Sequence, residues 1–214
     1  MKKIQVLLAL LLLVNFGTSA QDAKAGAVLD AMSTKYKNMK TFTANFSYGA
    51  ISASGKKGRV RTGSIAVKGV KFKLNMAGQE IYNNGSEIFS YVEETNEVNI
   101  TEYDGSADSQ FSPANIYSIY KKGYKYTHKG TATIGGASCD LIELIPLKSK
   151  GNIQKVEIGV SKSTKEIKNW KLTDGSGKVT AFDIVRFSPN VALADSYFTF
   201  NTAKHPGVEV VDLR

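Results

Sequence analysis

The hydrophobic pattern of the chain changes from a helical period to a strand period near residue 40. From Asp22 to Met39, apolar side chains recur every three or four residues, as on one face of an amphipathic helix, and Asp22 stands where an N-cap is expected. From Phe42 to Tyr48, apolar and polar residues alternate one by one, which is the pattern of a half-buried strand. The sequence therefore predicts one N-terminal helix that leads into a sheet.

Strand-like segments continue almost to the end of the chain. Two turn motifs separate neighbouring segments: Asn84-Gly85, the strongest hairpin signal present, and the Asp-Gly-Ser-Gly run at 174–177. The predicted strands cover residues 71–76, 80–83, 86–92, 98–102, 137–145, 153–160, 165–172 and 179–187. Short strands joined by tight turns are typical of antiparallel sheets rather than of βαβ units.

One helical segment interrupts the strand pattern. Residues 104–110 are polar and are predicted to be flexible, and Ser112-Pro113 then has the pattern of a cap followed by proline at the first helical position. Ile116 and Ile119 give a short apolar stripe before Gly123, which ends the helix. These elements predict a single α+β domain: a long curved antiparallel sheet, with an N-terminal helix and a central helix on its concave side.

The first twenty residues have the pattern of a cleaved export signal. A basic start precedes the apolar run 4–14, and small residues end the segment at Ala20. The apolar run is too short to span a bilayer, which takes roughly 20 residues, so a retained membrane anchor is the less favoured interpretation. Because Gln21 rather than a cysteine follows the cut, we expect a soluble exported protein in which 1–20 is removed and 21–214 forms the domain.

Few residues in the chain suit catalysis or metal binding. The single cysteine, Cys139, excludes an internal disulfide framework, and two histidines, His128 and His205, leave little room for a His-built metal site. No motif of serine hydrolases, zinc proteases or P-loop proteins occurs. We therefore expect Cys139 to be a small core residue, both histidines to be exposed and structural, and the protein to have no enzymatic activity, metal or cofactor.

Tyrosines and lysines are interleaved in the segment 117–129. Such a segment permits three interpretations: a nucleic-acid platform, a membrane-interface surface, or an amphipathic stretch with solvated lysines. Export from the cytoplasm argues against nucleic acid as a partner. The formal net charge of +9 favours encounter with anionic lipid or an acidic partner, although solubility alone also explains a net charge.

Four pieces of the chain together resemble one known family. They are 39–46 (MKTFTANF), 63–68 (GSIAVK), 84–91 (NGSEIFSY) and the tail from 198 (FTF) through 205–212 (HPGVEVVD). In this order and spacing they resemble the LolA family of periplasmic outer-membrane lipoprotein carrier proteins. The resemblance covers nearly all of the mature chain, and it implies an incomplete, half-open β-barrel with a helical lid.

The resemblance implies a non-enzymatic carrier in the periplasm. Such a protein would act as a monomer that accepts acylated lipoproteins from an inner-membrane, ATP-driven release complex. It would deliver them to an outer-membrane acceptor or to the outer membrane itself. The alternative is a periplasmic sensor or regulator on the same fold, which detects stray lipoproteins or envelope components. An enzyme acting on lipid is the third hypothesis, and it lacks catalytic residues.

A carrier of this kind needs a concave apolar surface that is covered when empty. An acyl chain of a dozen carbons costs on the order of 10 kcal/mol to hold in water. The candidates for the lining and the lid are Phe42, Ala44, Phe46, Phe72, Leu74, Met76, Phe89 and Tyr91 from strands, and Ile116 and Ile119 from the central helix. Each is as readily an ordinary core residue, because alternation does not tell which face of a strand is concave.

One position departs from the family pattern. The better-known members carry an Arg-Pro pair in the stretch aligned with 68–70, and the resemblance implies that this arginine holds the lid closed by hydrogen bonds. Here Gly69 takes its place. Either Lys68 or Lys71 replaces the arginine, or the lid is held in another way.

Overall fold

The computed structural model describes residues 22–103, 116–121, 123–148 and 152–214. The predicted signal peptide (1–20), the polar segment 104–110 and the helix start at Ser112-Pro113 lie outside these ranges.

The N-terminal helix, α1, spans Ala23–Lys37. The Asp22 carboxylate caps it as predicted, accepting hydrogen bonds from the backbone N–H groups of Lys24 at 2.9 Å and Ala25 at 3.0 Å. Most of the apolar face is buried, with Leu29 and Met32 inaccessible to solvent. No helix in the described ranges combines the length and the apolar character needed to cross a membrane.

The twelve strands in the described ranges all belong to one sheet. Their bounds are β1 Thr41–Ile51, β2 Arg61–Lys68, β3 Lys71–Met76, β4 Gln79–Asn83, β5 Glu87–Val92, β6 Glu97–Glu102, β7 Tyr124–Ile134, β8 Ala137–Pro146, β9 Ile153–Ser161, β10 Ile167–Asp174, β11 Val179–Pro189 and β12 Glu209–Asp212. The spatial order is β12-β6-β5-β4-β3-β2-β1-β11-β10-β9-β8-β7. Strands β1 to β6 therefore extend the sheet in one direction from β1. Strand β7 starts at the opposite edge, and β8 to β11 follow inward until β11 pairs with β1.

The sheet is open, because its two edge strands, β7 and β12, do not pair with each other. Every pairing is antiparallel except that of β12 with β6, which is parallel. The observed architecture confirms the predicted α+β half-barrel. The predicted hairpin at Asn84-Gly85 is present between β4 and β5, where the Asn84 Oδ1 accepts hydrogen bonds from the backbone of Ser86 and Glu87.

One face of the sheet, here called the inner face, carries α1. The main core cluster joins Leu29 and Met32 of the helix to strand residues such as Ile142, Leu144 and Val156. These contacts cover mainly the β7–β10 half of the inner face. The helix covers less of the inner face on β1–β3 and the adjoining β11, and this part of the sheet borders a cavity.

The C-terminal segment 190–214 lies on the opposite, outer face, over the β2–β6 part of the sheet. After β11 this segment forms two short 3₁₀ helices, Asp195–Phe198 and Thr202–Lys204, and then β12. Phe200 packs on the outer side of the β4–β6 hairpins, with ring centroids 5.8 Å from Tyr82 and 5.2 Å from Tyr91. The aromatic side chains on the outer side of β4 and β5 are therefore buried.

Burial of tyrosines makes the fold sensitive to alkali. Burial raises the pKa of Tyr36 and Tyr120 well above the ordinary value. The folded state then keeps a proton that the unfolded chain releases, so the free energy of unfolding falls as pH rises through about 10. We expect Tyr36→Phe to make that fall less steep by about 1.4 kcal/mol per pH unit. Urea titrations at pH 8, 10 and 11 measure the free energy of unfolding of both proteins. An equally steep decrease of this free energy with pH in both would contradict the expectation.

Candidate functional site

A cavity of about 170 Å³ lies on the inner face beside the C-terminal end of α1. Its walls come from that helix and from β1, β2, β3, β10 and β11. The lining residues are Tyr36, Phe42, Ala44, Phe46, Ile65, Leu74, Met76, Ile167, Trp170, Leu172, Phe182, Ile184 and Phe187. None of these side chains is charged, so the cavity offers an apolar guest no competing ion.

Aromatic rings form both ends of the cavity. Near α1, the Tyr36 ring centroid lies 5.4 Å from Phe42 and 5.6 Å from Phe187. The Tyr36 hydroxyl is turned away from water and accepts a hydrogen bond from the backbone N–H of Ile167 at 3.2 Å. This end is therefore fixed by packing and by one buried hydrogen bond.

The other end is an aromatic cluster formed by Phe46, Tyr48, Trp170 and Phe182. Trp170 stacks on Phe182 with centroids 4.9 Å apart, and Phe46 lies 6.0 Å from Phe182. Offset and edge contacts of this kind are the arrangements that aromatic rings favour. We call this group the distal aromatic cluster.

The aliphatic middle of the cavity follows from strand register. Ala44 of β1 stands opposite Ile65 of β2, which in turn stands opposite Leu74 of β3. Residues directly opposite one another in a ladder share a face, so this row of side chains points to the inner face together. The small Ala44 leaves space at the centre of the row.

Gly63 allows the Phe46 ring to lie against β2. A Cβ atom at this position would lie 2.6 Å from the Phe46 ring and 2.8 Å from the carbonyl oxygen of Asn75. The backbone oxygen has little freedom to move, so the ring must shift. Gly63 thus positions one wall of the cavity.

We expect Gly63→Ala to lower the free energy of unfolding by about 1–3 kcal/mol through overpacking. Gly58→Ala is the matched control, because a Cβ there would meet only the Ala50 carbonyl oxygen at 3.5 Å. Urea denaturation of both variants measures the difference. Equal stability of the two variants would show that Phe46 does not need the glycine.

The cavity is small compared with an acyl chain. An apolar cavity of about 150 Å³ holds one benzene molecule, so 170 Å³ accommodates roughly one ring's worth of carbon. A chain of a dozen carbons or more therefore fits only if the cavity widens or if part of the chain stays outside it. The described state is in this sense a closed one.

The structure brings together five of the ten predicted site residues: Phe42, Ala44, Phe46, Leu74 and Met76 line the cavity. Phe72 lies on the same face and is buried, but it packs in the main core cluster and is not part of the lining.

Phe89 and Tyr91, two further candidates for the lining, lie on the outer face and are not part of the cavity wall. Phe89 stands opposite Tyr82 in the β4–β5 ladder, and Tyr82 and Tyr91 both contact Phe200. The two residues form a separate cluster beneath the C-terminal segment. The alternating pattern was interpreted correctly as a strand, and the structure shows that its buried aromatic side faces away from the cavity.

The predicted lid is present in part, as a 3₁₀ helix at Ile116–Lys121. Tyr117 stacks on Tyr36 with centroids 5.5 Å apart, and the Tyr120 hydroxyl donates a hydrogen bond to the Asp30 carboxylate at 2.6 Å. Ile119 packs against the main core cluster, whereas the Ile116 side chain lies outside the described set. The helix therefore rests on α1 next to one end of the cavity.

The interleaved tyrosines and lysines are divided between the core and solvent. Tyr120 and Tyr124 are buried, whereas Lys121 and Lys125 are exposed. Rings held in the core are not offered to bases or to lipid headgroups. Among the three interpretations, this favours the amphipathic segment with solvated lysines.

Sequence reasoning missed the lining residues of α1, β2, β10 and β11, which are Tyr36, Ile65, Ile167, Trp170, Leu172, Phe182, Ile184 and Phe187. The strands at 165–172 and 179–187 were predicted, so the signal for two of these elements was available. The missing information was that β11 pairs with β1, which brings the two distant strands to one site.

Cys139 and His128, the candidates for catalysis, both lie in structural environments. Cys139 is buried, as predicted. The His128 side chain is only 8% exposed, contrary to the expected exposure, and its Nε2 lies 2.8 Å from Asp140 Oδ1. Asp140 stands two strands away from any cavity-lining residue, on β8. In the described ranges, no three His, Cys, Asp or Glu side chains converge as metal ligands would.

Lys68 and Lys71, the possible substitutes for the family arginine, contact the C-terminal segment. Both reach the Asp195 carboxylate, at 2.8 Å and 3.1 Å, and Lys68 also donates a hydrogen bond to the Leu193 carbonyl at 2.9 Å. Gly69 has a φ of +60° in the tight β2–β3 turn. These contacts hold the outer-face segment, and none of them reaches the 3₁₀ helix 116–121.

Sequence comparison agrees with this architecture. The family profile described as outer membrane lipoprotein carrier protein LolA matches residues 37–201. The chain belongs to the LolA family. The match runs from the end of α1 to the C-terminal segment and so includes every strand of the cavity. The LolA family is one of periplasmic, lipoprotein-binding proteins rather than of enzymes.

Solved structures align with the chain at low sequence identity, and the first of these has the same fold. An uncharacterised conserved protein from Thermus thermophilus aligns with a TM-score of 0.60 and 12% identity, over 88% of this LolA-family chain and 99% of that chain. A LolA superfamily protein from Nitrosomonas europaea gives 0.42 and 14%, covering 82% and 97%. LprF from Mycobacterium bovis gives 0.44 and 10%, covering 82% and 97%. No curated protein matches the sequence.

Proposed function

We propose that this LolA-family protein is a periplasmic carrier that binds the acyl chains of lipoproteins in the inner-face cavity and moves them to the outer membrane. Removal of residues 1–20 would deliver the domain 21–214 to the periplasm. There it would receive lipoproteins from an inner-membrane, ATP-driven release complex and pass them to an outer-membrane acceptor. Family membership and the apolar cavity support this proposal.

The observation that carries the proposal is the uncharged lining of the cavity. A folded protein ordinarily fills its interior, and voids larger than a water molecule are few. Here aromatic and aliphatic side chains from six elements surround about 170 Å³ instead of closing it. Each methylene placed there is stabilised by about 0.8 kcal/mol relative to water, so about six of them contribute about 5 kcal/mol of binding free energy.

Loading would require the closed state to open. The 3₁₀ helix 116–121 is the natural gate, because Tyr117 stacks on Tyr36 and Tyr36 lines the cavity. A helix this short is not stable alone and depends on its packing. A ligand therefore has to supply only a few kcal/mol to displace it.

We expect Ile119→Asp to open the gate, because a carboxylate cannot remain packed against the core cluster. A fluorescent fatty-acid probe should bind faster, and hydrogen exchange in 116–121 should accelerate while the strands stay protected. Lys125→Asp, at an exposed position just beyond this helix, is the control. If 116–121 is as protected as the strands, and lipid leaves that protection unchanged, the helix is fixed scaffold.

Mass spectrometry of the protein purified from its own periplasm tests the carrier function. We expect acylated polypeptides to co-purify with the wild-type protein and to be lost with Ala44→Phe, which fills the cavity. Recovery of a stable complex with a regulatory protein, and of no acylated species, would instead support the sensor hypothesis.

A further inference from the structure

A second pocket lies on the inner face just beyond the distal aromatic cluster. It measures about 280 Å³ and is lined by Tyr48, Gly49, Ala50, Arg59, Arg61, Lys178 and Thr180. Tyr48 stands opposite both Arg61 of β2 and Phe182 of β11, so these residues share the face that carries the cavity. The Tyr48 ring stacks on Phe182 with centroids 5.7 Å apart, and Phe182 lines the cavity. The two pockets are therefore neighbours along one strand.

The second pocket is positively charged. Its lining contains Arg59, Arg61 and Lys178 and no acidic residue. Within the part of the chain that the structure describes, none of these three side chains forms an ion pair. The Asp174 carboxylate accepts a hydrogen bond from the Lys178 backbone N–H at 3.1 Å, but it is not part of the pocket lining. Three cations are thus left to attract an anion from outside.

A buried hydroxyl points to the same kind of ligand. The side chain of Tyr48 is 8% exposed, and among the described residues its Oη has no hydrogen-bond partner. A buried hydroxyl without a partner costs about 1–3 kcal/mol, so such groups are rare in folded proteins. An oxyanion in the basic pocket would accept the hydrogen bond that this hydroxyl offers.

We infer that the basic pocket binds an anionic headgroup, and that the preferred ligand is an amphiphile whose oxyanion is joined to its acyl chain. This inference rests on the proposed acyl-binding function and adds the chemical class of the head. When the acyl chain of the ligand occupies the cavity, its anionic headgroup lies beside the Tyr48 hydroxyl. Arg59, Arg61 and Lys178 then surround the headgroup. Guanidinium groups suit phosphate and carboxylate because they bind both in a bidentate manner.

The test compares ligands that differ only in the head. Dodecyl phosphate and dodecyl glucoside are titrated below their micellar concentrations, at low salt, into the mature protein. A second pair, N-dodecanoyl-glycine and its uncharged amide N-dodecanoyl-glycinamide, reports whether the carboxylate of an acylated amino acid serves as well as the anion of a lipid. We expect the anionic member of at least one pair to bind about ten-fold more tightly, as for hydrogen bonds to charged groups.

The variants separate the head site from the chain site. Replacing Arg59, Arg61 and Lys178 by Gln should abolish the preference and leave the affinity for dodecyl glucoside unchanged. Replacing the exposed Lys24, Lys162 and Lys204 by Gln removes the same charge elsewhere and should leave the preference intact. Tyr48→Phe should weaken the preference without lowering stability, because it deletes a hydroxyl that has no partner.

Each outcome bears on a different statement. Equal affinity within both pairs overturns the headgroup inference and leaves the carrier function standing. Absence of binding by all four ligands contradicts the carrier function itself. A preference that the control lysine variant removes equally reflects overall charge, and it overturns the assignment of the pocket.

Discussion

Ala44→Phe should abolish acyl-chain binding while the protein remains folded. Ala44 is buried at the centre of the aliphatic row, and its methyl group faces the cavity. A phenyl ring occupies most of a space that accommodates about one benzene molecule. The guest then loses the burial of about six methylenes, each worth about 0.8 kcal/mol, so affinity for a fatty-acid probe should fall by at least about 100-fold. Fluorescence titration measures this loss.

Stability distinguishes filling of the cavity from damage to the fold. The added ring gains dispersion contacts with the walls, so the melting temperature of Ala44→Phe should be unchanged or higher. Ala203→Phe, on an exposed position of a C-terminal 3₁₀ helix, is the control and should bind the probe normally. Wild-type affinity in Ala44→Phe would place the ligand elsewhere on the molecule.

Tyr36→Ala should give the largest loss of stability among the cavity residues. Its ring contacts Phe42 and Phe187 in the sheet and Tyr117 in the central 3₁₀ helix. Truncation of a buried aromatic residue costs about 3–5 kcal/mol, a large part of the total stability of an ordinary domain. Urea denaturation at pH 7 measures the loss.

Tyr36→Phe is the matched variant, because it keeps the ring and deletes only the hydroxyl. The buried N–H of Ile167 then loses this acceptor, which costs about 1–3 kcal/mol. Hydrogen exchange in 116–121 should accelerate in Tyr36→Ala and remain near wild type in Tyr36→Phe, since stacking with Tyr117 needs only the ring. Similar exchange in both variants would mean that Tyr36 does not support the gate.

Local patterns in the sequence predicted the elements well, because each depends on neighbours in the chain. The period of α1, its Asp22 cap and the Asn84-Gly85 hairpin all arise from short-range geometry and hydrogen bonding. The type of the central helix was harder to predict from the sequence. It is a 3₁₀ helix whose order comes from contacts with α1, which no local pattern reports.

Local patterns did not reveal which face of each strand lines the cavity, because in β4–β6 the buried aromatic side chains lie on the outer face. An alternating strand normally turns its apolar side to the core and its polar side to water. The C-terminal segment adds a second apolar surface here, so Phe89 and Tyr91 are buried without facing the cavity. Only the register from β1 through β5, together with the path of residues 190–214, decides this.

The sequence by itself determined the class of fold, the strand segments and the family, because these follow from periodicity and from motifs in order along the chain. The tertiary structure alone decided the cavity. The pairing of β11 with β1 shifts register between Asn45 and Phe46, leaving Val185 as an extra, exposed residue. This bulge brings Phe187 to the same face as Phe182 and Ile184, although strict alternation would turn it away. Such a shift depends on contacts between strands more than 100 residues apart, which the period of either strand does not contain.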